Sequence, residues 1–215
     1  KYEVDNVSGN VTITTLPNNE FAFSLVPMYE DTFQLLTKTS VFTANKMDVD
    51  SIALLEPILK KFTENYHIHF HEDENLRMIQ EQMLTHIEGY LVGPIVVNLG
   101  MTGMFHKYFM ESSFRADEFH KHPEAFAKIL DFFVHLGWFS KKNDNYQFTE
   151  DGFFFAKRAS AYGVTVSYLP MFKHIDSLLF GNASELRNIA KNEDEIHVNR
   201  EMNVWGSGGA HATYF

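Results

Sequence analysis

Three groups of residues have side chains and spacings suited to chemistry. The first closes the chain, Val204-Trp205-Gly206-Ser207-Gly208-Gly209-Ala210-His211-Ala212-Thr213-Tyr214-Phe215. Glycine lets a backbone approach a ligand closely and adopt positive φ. The run therefore reads as a glycine-rich turn that serves as hinge and pocket wall. Trp205, Gly208 and Gly209 are its ligand-lining residues, and His211 is its candidate for acid–base or ligand work. A structural role for His211 stays open. A dinucleotide-type loop is a poorer reading, because it needs a buried strand before the glycines and a helix after them. The segment before them, Asn199-Arg200-Glu201-Met202-Asn203, is too polar for such a strand.

The second group is Arg158 and Tyr162, one helical turn apart in a stretch dense in small residues, Ala156 to Ser167. The guanidinium suits a carboxylate or phosphate on a ligand. An arginine that bridges two domains is the competing reading. The third group is His67, His69 and His71, followed by Glu72 and Asp73. On a strand the three imidazoles would share a face and suit a metal. Helical patterning resumes too soon for a strand, so a solvated loop is expected and no metal site is assigned. His120 and His122 read as surface or cap residues, and His135 as a core or interface histidine.

These groups must be positioned by a mainly helical frame. Residues 1–45 form an N-terminal arm or β-hairpin. Val11-Thr12-Ile13-Thr14-Thr15 and Phe21-Ala22-Phe23-Ser24-Leu25-Val26 are β-like runs, joined by Leu16-Pro17-Asn18-Asn19-Glu20. Residues 46–110 are a helical segment. Asp48 to Ser51 offer caps for a helix from Ile52 to Tyr66, in which Pro57 marks a first turn or a kink. A second helix spans Asn75 to Leu99, apolar on all sides from Leu91 to Val97 and so buried at that end. Gly93-Pro94 is expected to kink or break it, and Gly100 and Gly103 to close a tight turn.

Residues 111–181 carry the clearest pattern. Ser113 caps a short helix from Arg115 to Lys121. A second helix starts at Pro123, buries Phe126, Ile129, Leu130, Phe133, Val134 and Leu136, and ends at Gly137. Two short strands, Trp138-Phe139-Ser140 and Tyr146-Gln147-Phe148, flank a polar turn. Thr149 then caps a helix containing Phe153 to Ala159. Helix, helix, β-hairpin, helix is the winged-helix order. One further amphipathic helix runs from Tyr168 to Phe180. Residues 182–215 connect onward. The fold class is thus mainly α, with a winged-helix core and a small N-terminal β element.

Composition narrows function. The chain has 215 residues, a net charge of −10, 21 Phe and no Cys. The charge repels a phosphate backbone. The helix that a winged helix would place in the major groove exposes Glu124, Lys128, Asp131 and His135, and the wing offers Lys141 and Lys142 against Asp144. A nucleic-acid partner is therefore not expected. The lack of cysteine removes disulfides and thiolate sites. No apolar run approaches the roughly 20 residues of a membrane helix, no signal peptide opens the chain, and a cytoplasmic location is expected. The start at Lys1 reads as a piece of a longer polypeptide.

Phe132-Phe133-Val134-His135-Leu136-Gly137-Trp138-Phe139, with Tyr146-Gln147-Phe148-Thr149-Glu150-Asp151-Gly152, resembles the winged-helix dimerisation region of class I S-adenosylmethionine-dependent methyltransferases. Residues 156–170 and 197–211 are similar to bacterial methyltransferases of the kind embedded in polyketide synthase loading modules. The resemblance covers roughly residues 85–215. It implies a lid, dimerisation and substrate-lining portion, followed in the parent protein by a Rossmann domain that binds S-adenosylmethionine. It also implies a homodimer through aromatic-rich helices and a small-molecule or carrier-bound acyl substrate. Some relatives use a metal ion, whose ligands do not map onto these residues. Arg158, Tyr162, Trp205, Gly208, Gly209 and His211 would face the substrate. A winged-helix transcriptional regulator and a non-catalytic interaction module are the competing classes.

Overall fold

A computed structural model describes residues 2–13, 17–43, 47–186 and 196–211. The mainly helical fold expected from the sequence is the one observed. Strands β1 (Tyr2–Val4) and β2 (Val11–Ile13) pair antiparallel. Their turn is built by Asp5, whose carboxylate accepts from the Val7 N–H at 2.8 Å and the Ser8 hydroxyl at 2.7 Å, and by Gly9 at φ +73°. The expected hairpin partner, Phe21 to Val26, is not a strand. Helix α1 spans Pro17–Ser24 and a 3-10 turn follows at Val26–Tyr29. Proline at the first helical position loses only an N–H that has no partner there, so the turn chemistry of Pro17-Asn18-Asn19-Glu20 starts a helix instead. Thr14 to Leu16, part of that expectation, lie outside the described residues.

Helix α2 (Glu30–Lys38) leads to α3 (Val49–Thr63). Asp48 caps α3 by accepting from the Ser51 N–H at 2.8 Å, which holds its carboxyl below the usual range. The helix continues through the exposed Pro57. Helix α4 (Glu74–Met101) is the spine, capped by Asp73 on the Asn75 and Leu76 amides. Leu91 to Leu99 are all buried. Gly93-Pro94 does not break it. Tertiary packing of this largely apolar stretch outweighs the local cost of a mid-helix proline, about 3 kcal/mol. Gly103, at φ +95°, turns the chain after α4, whereas Gly100 stays inside the helix.

The winged helix follows. Helices α5 (Lys107–Glu111), α6 (Ala116–Phe119) and α7 (Pro123–His135) precede β3 (Phe139–Lys142), β4 (Asn145–Phe148) and α8 (Glu150–Ala156). Phe114 pairs with Tyr146 and adds a third edge to the β3–β4 hairpin. Ser113 is not the cap of α6; Arg115 holds that position, and its N–H donates to the Glu118 carboxylate at 2.8 Å. Phe114, Phe126, Phe133, Phe139 and Phe148 form the buried centre. Gly137 leaves α7 at φ +79°. Thr149 caps α8 by accepting from the Gly152 N–H at 3.1 Å. Gly152 is obligatory, because a Cβ there would lie 2.0 Å from the Trp138 carbonyl oxygen.

Helix α9 (Ala159–Ser167) is followed by α10 (Leu169–Phe172) and α11 (Ile175–Phe180). The single helix expected from Tyr168 to Phe180 is divided between these two. Lys173, at the break, donates to the Thr39 carbonyl at 3.2 Å, and Leu169 is buried while Phe180 is 87% exposed, so the run is not one apolar stripe.

The largest correction concerns the C-terminal glycines. Arg200–His211 is helix α12, not a turn or hinge. Its polar lead-in is a cap: the Asn199 side chain accepts from the Met202 N–H at 3.1 Å and its own N–H donates to the Ser167 carbonyl at 2.7 Å. The glycines serve helix packing. A Cβ on Gly163 of α9 would sit 2.6 Å from the Gly206 Cα, one on Gly206 2.6 Å from the Val164 nitrogen, and one on Gly209 2.5 Å from the Ser160 Cβ. Gly208 faces open space. Gly206→Ala is therefore expected to destabilise by about 1–3 kcal/mol through overpacking. Gly208→Ala should be neutral or mildly stabilising, since alanine is the better helix former. Urea denaturation of the two variants checks the contrast.

Candidate functional site

Helices α4, α9 and α10 enclose a cleft of about 430 Å³. Thr85, His86, Gly89, Tyr90, Gly93 and Pro94 supply the α4 wall. Tyr162, Thr165 and Val166 of α9 stand opposite, and Leu169 and Phe172 of α10 close one end. Heptad-like spacing on α4 explains the first wall: His86, Gly89, Tyr90, Gly93 and Pro94 recur at three and four residues and so share a face. A second hollow of about 410 Å³ adjoins it on the side of α2 and shares His86 and Tyr90.

His86 joins the two hollows. Its Nδ1 lies 3.0 Å from the Tyr29 hydroxyl, and the Tyr29 ring meets Tyr90 edge-on at 6.4 Å. Burial, with Tyr90 close by, pushes the Tyr29 hydroxyl above its ordinary range. Among the described residues, none that line either hollow is Lys, Arg, Asp or Glu.

Two backbone features of α4 bear on the cleft. Pro94 has no N–H to give the Tyr90 carbonyl four residues back, so a main-chain acceptor on this face lacks its usual helical donor. Gly89 is exposed in the middle of a 28-residue helix, and a Cβ there would meet nothing within 4 Å. Glycine in a helix interior costs about 1 kcal/mol relative to alanine, and no close packing inside the protein accounts for it.

The sequence-predicted site residues are not gathered in one place. Tyr162 lines the cleft. Arg158 is turned away: its Nη1 donates to the Phe154 carbonyl at 2.9 Å and its guanidinium lies 3.7 Å from the centre of the exposed Phe154 ring. Trp205 packs over Gly100 and Gly163 in the α4–α9–α12 junction. Gly209 abuts Ser160, Gly208 is exposed, and the exposed His211 places Nδ1 2.7 Å from the Ser207 carbonyl.

The histidine triplet lies in a loop. Gln80 latches it, accepting from the His71 N–H at 2.8 Å and donating to the His69 carbonyl at 3.0 Å. Among the described residues no group of three His, Asp or Glu side chains is placed to hold a metal. His120 reaches the Met47 carbonyl at 3.0 Å and stacks on Phe126, a joint between α7 and the start of α3. His135 is exposed and meets Phe62 edge-on.

His86, Tyr29, Tyr90 and Gly89 were not singled out from the sequence. The available signal was a solvent-facing glycine, Gly89, four residues before Gly93 on a helix that also carries His86 and Tyr90.

The fold defines a winged-helix protein with an added helical layer. Residues 88–182 match the family described as the AprA winged helix domain. The chain thus contains a winged helix of AprA type, whose match begins inside α4 and includes the cleft walls from Gly89 to Phe172. No curated protein matches the chain. No helix among the described residues is long and apolar enough to cross a membrane.

Two measurements probe this region. Gly89→Ala should raise stability by about 0.5–1 kcal/mol, as expected for an unconstrained helical glycine; urea midpoints test it. Glu88, half-buried beside the cleft face, has its carboxyl raised by burial, partly offset by the nearby His135. The folded chain then holds this proton more tightly than the unfolded chain, so stability from this group grows as pH falls through the folded value and levels off below the ordinary one. Glu88→Gln should therefore be more stable than the parent at neutral pH. Its advantage should shrink as the pH falls through the raised folded value and be gone below the ordinary carboxyl value of 4.5.

Proposed function

We propose that this chain is the lid, dimerisation and substrate-lining portion of an S-adenosylmethionine-dependent methyltransferase. The observation that carries the reading is a winged helix of AprA type whose would-be DNA-reading helix is already occupied. Helix α7 packs against α3: Phe62 meets Phe132 edge-on, and Lys128 is paired with Glu56 at 2.5 Å. On the wing side, Asp131 takes Lys141 at 2.7 Å and the Tyr146 hydroxyl at 2.8 Å. Little cationic surface is left for phosphate.

The described residues do not fit the cofactor. S-adenosylmethionine sites of the Rossmann kind need a parallel sheet and a glycine loop between strand and helix. The sheets here are two antiparallel pairs, and Gly206 to Gly209 lie within α12, where helical hydrogen bonding occupies the backbone. In this reading a separate catalytic domain supplies the cofactor. The α12 edge with Gly208, Gly209 and His211, backed by Trp205, faces that domain and its small-molecule or carrier-bound acyl substrate. Tyr162 and Arg158 serve from α9 and the turn before it. Exposed Phe154, Leu179 and Phe180 are the apolar positions available for a homodimer.

Calorimetry of the 215-residue chain with S-adenosylmethionine should show no saturable heat, whereas the chain joined to its catalytic domain should bind it. A mobility-shift assay should show no robust, salt-sensitive binding to duplex DNA. Such binding would replace this reading with a transcriptional regulator.

A further inference from the structure

We infer that the cleft between α4 and α9–α10 binds an uncharged, largely apolar small molecule that carries one hydrogen-bond donor. The inference stands apart from the methyltransferase reading: it concerns a site within this chain and needs no second domain.

The size falls within the range of small-molecule sites, about 300–1,000 Å³, and such sites combine apolar walls with a few placed polar groups. Here the apolar wall comes from Pro94, Val166, Leu169 and Phe172. The polar groups are the hydroxyls and imidazole of the lining Tyr, Thr and His residues. A single donor on the ligand is met by one of these hydroxyl oxygens or by the His86 ring.

Charge selects against anions. No cationic Lys or Arg lines the cleft among the described residues, and the chain carries a net charge of −10. A carboxylate or phosphate entering an apolar cleft without a partner loses its hydration and gains nothing in return. A nucleotide or a free fatty acid is therefore a poor occupant.

Gly89 is the third observation. Gly89 lines the cleft, a Cβ there would meet nothing within 4 Å, and no close packing inside the protein requires its absence. Gly93, one turn on, is different: its Cβ would rest at 3.6 Å from Val166, an ordinary contact. The missing side chain at 89 keeps the cleft open along α4.

The test uses the whole 215-residue chain and the neutral fluorophore N-phenyl-1-naphthylamine, with 1-decanol, decanoate and 1-methoxydecane as competitors near neutral pH. Saturable probe binding is expected. Displacement by 1-decanol should be at least about tenfold more effective than by decanoate, which bears an unpaired charge, and several-fold more effective than by 1-methoxydecane, which lacks the donor. Gly89→Leu should weaken probe binding about tenfold or more by filling the cleft, while melting no lower than the parent. Thr85→Trp, an exposed change one turn earlier on the same wall, should weaken it without disturbing the core. Absence of saturable binding, equal competition by decanoate, or unchanged binding in both variants overturns the inference. So does a cleft occupied by a second copy, recognised by sedimentation as a dimer that Gly89→Leu abolishes and whose formation expels the probe.

Discussion

The contact on which the rest of the molecule depends is the close approach of α9 and α12 at Gly163 and Gly206. A Cβ at either position would collide with backbone of the other helix. Because the backbones meet this closely, the Trp205 ring packs against Gly100 of α4, and Asn199 and Asn203 reach Ser167 at the end of α9. Helix α9 is thereby held between α12 on one side and α4 on the other, where Val166 settles against Gly93. The cleft adjoins that arrangement: α4 and α9 meet at Gly93 and Val166, and Leu169 and Phe172 of α10 complete its lining. Small residues set the geometry at each step, and the bulky aromatic residues fill in around it.

The winged helix shows the same economy with charge. Exposed ion pairs contribute only about 0–1 kcal/mol each, so Lys128–Glu56 and Lys141–Asp131 matter less for stability than for what they remove. Asp131 keeps the Lys141 ammonium charged above its ordinary range while cancelling its field. The helix and wing that would read DNA are bound instead to α3 and to each other. Both charge pairs thereby tie the winged helix to its own neighbours within the chain.

What could be read from the sequence was the part whose structure is decided locally. Asp48, Thr149, Gly137 and Pro123 mark helix ends by capping chemistry or backbone preference, and each does so in the structure. The aromatic alternation around Trp138 to Phe148 specified a hairpin, and Leu91 to Val97 announced their burial by being apolar on every side. The parts that could not be read were decided by distant contacts. Gly206 to Gly209 are poor helix formers and suggest a turn; only Gly163 and Ser160, some 45 residues earlier, make the helix worthwhile. The Pro94 break was outweighed by burial in the same way. Tyr29 and His86 are 57 residues apart, and neither sits in a motif. The Asp5 to Gly9 turn was missed although its chemistry is local, because the β-like run at Phe21 drew the pairing to the wrong partner.

The glycines then separate into two kinds that a sequence cannot tell apart. Gly152, Gly163, Gly206 and Gly209 are each required by an atom that would otherwise collide with a Cβ. Gly89 and Gly208 sit in helices with open space before them, so each carries the conformational cost of glycine without an internal reason. Gly89 opens onto an uncharged cleft and Gly208 onto the α12 edge beside His211. Helix α9 lies between the two, meeting α4 at Gly93 and α12 at Gly206.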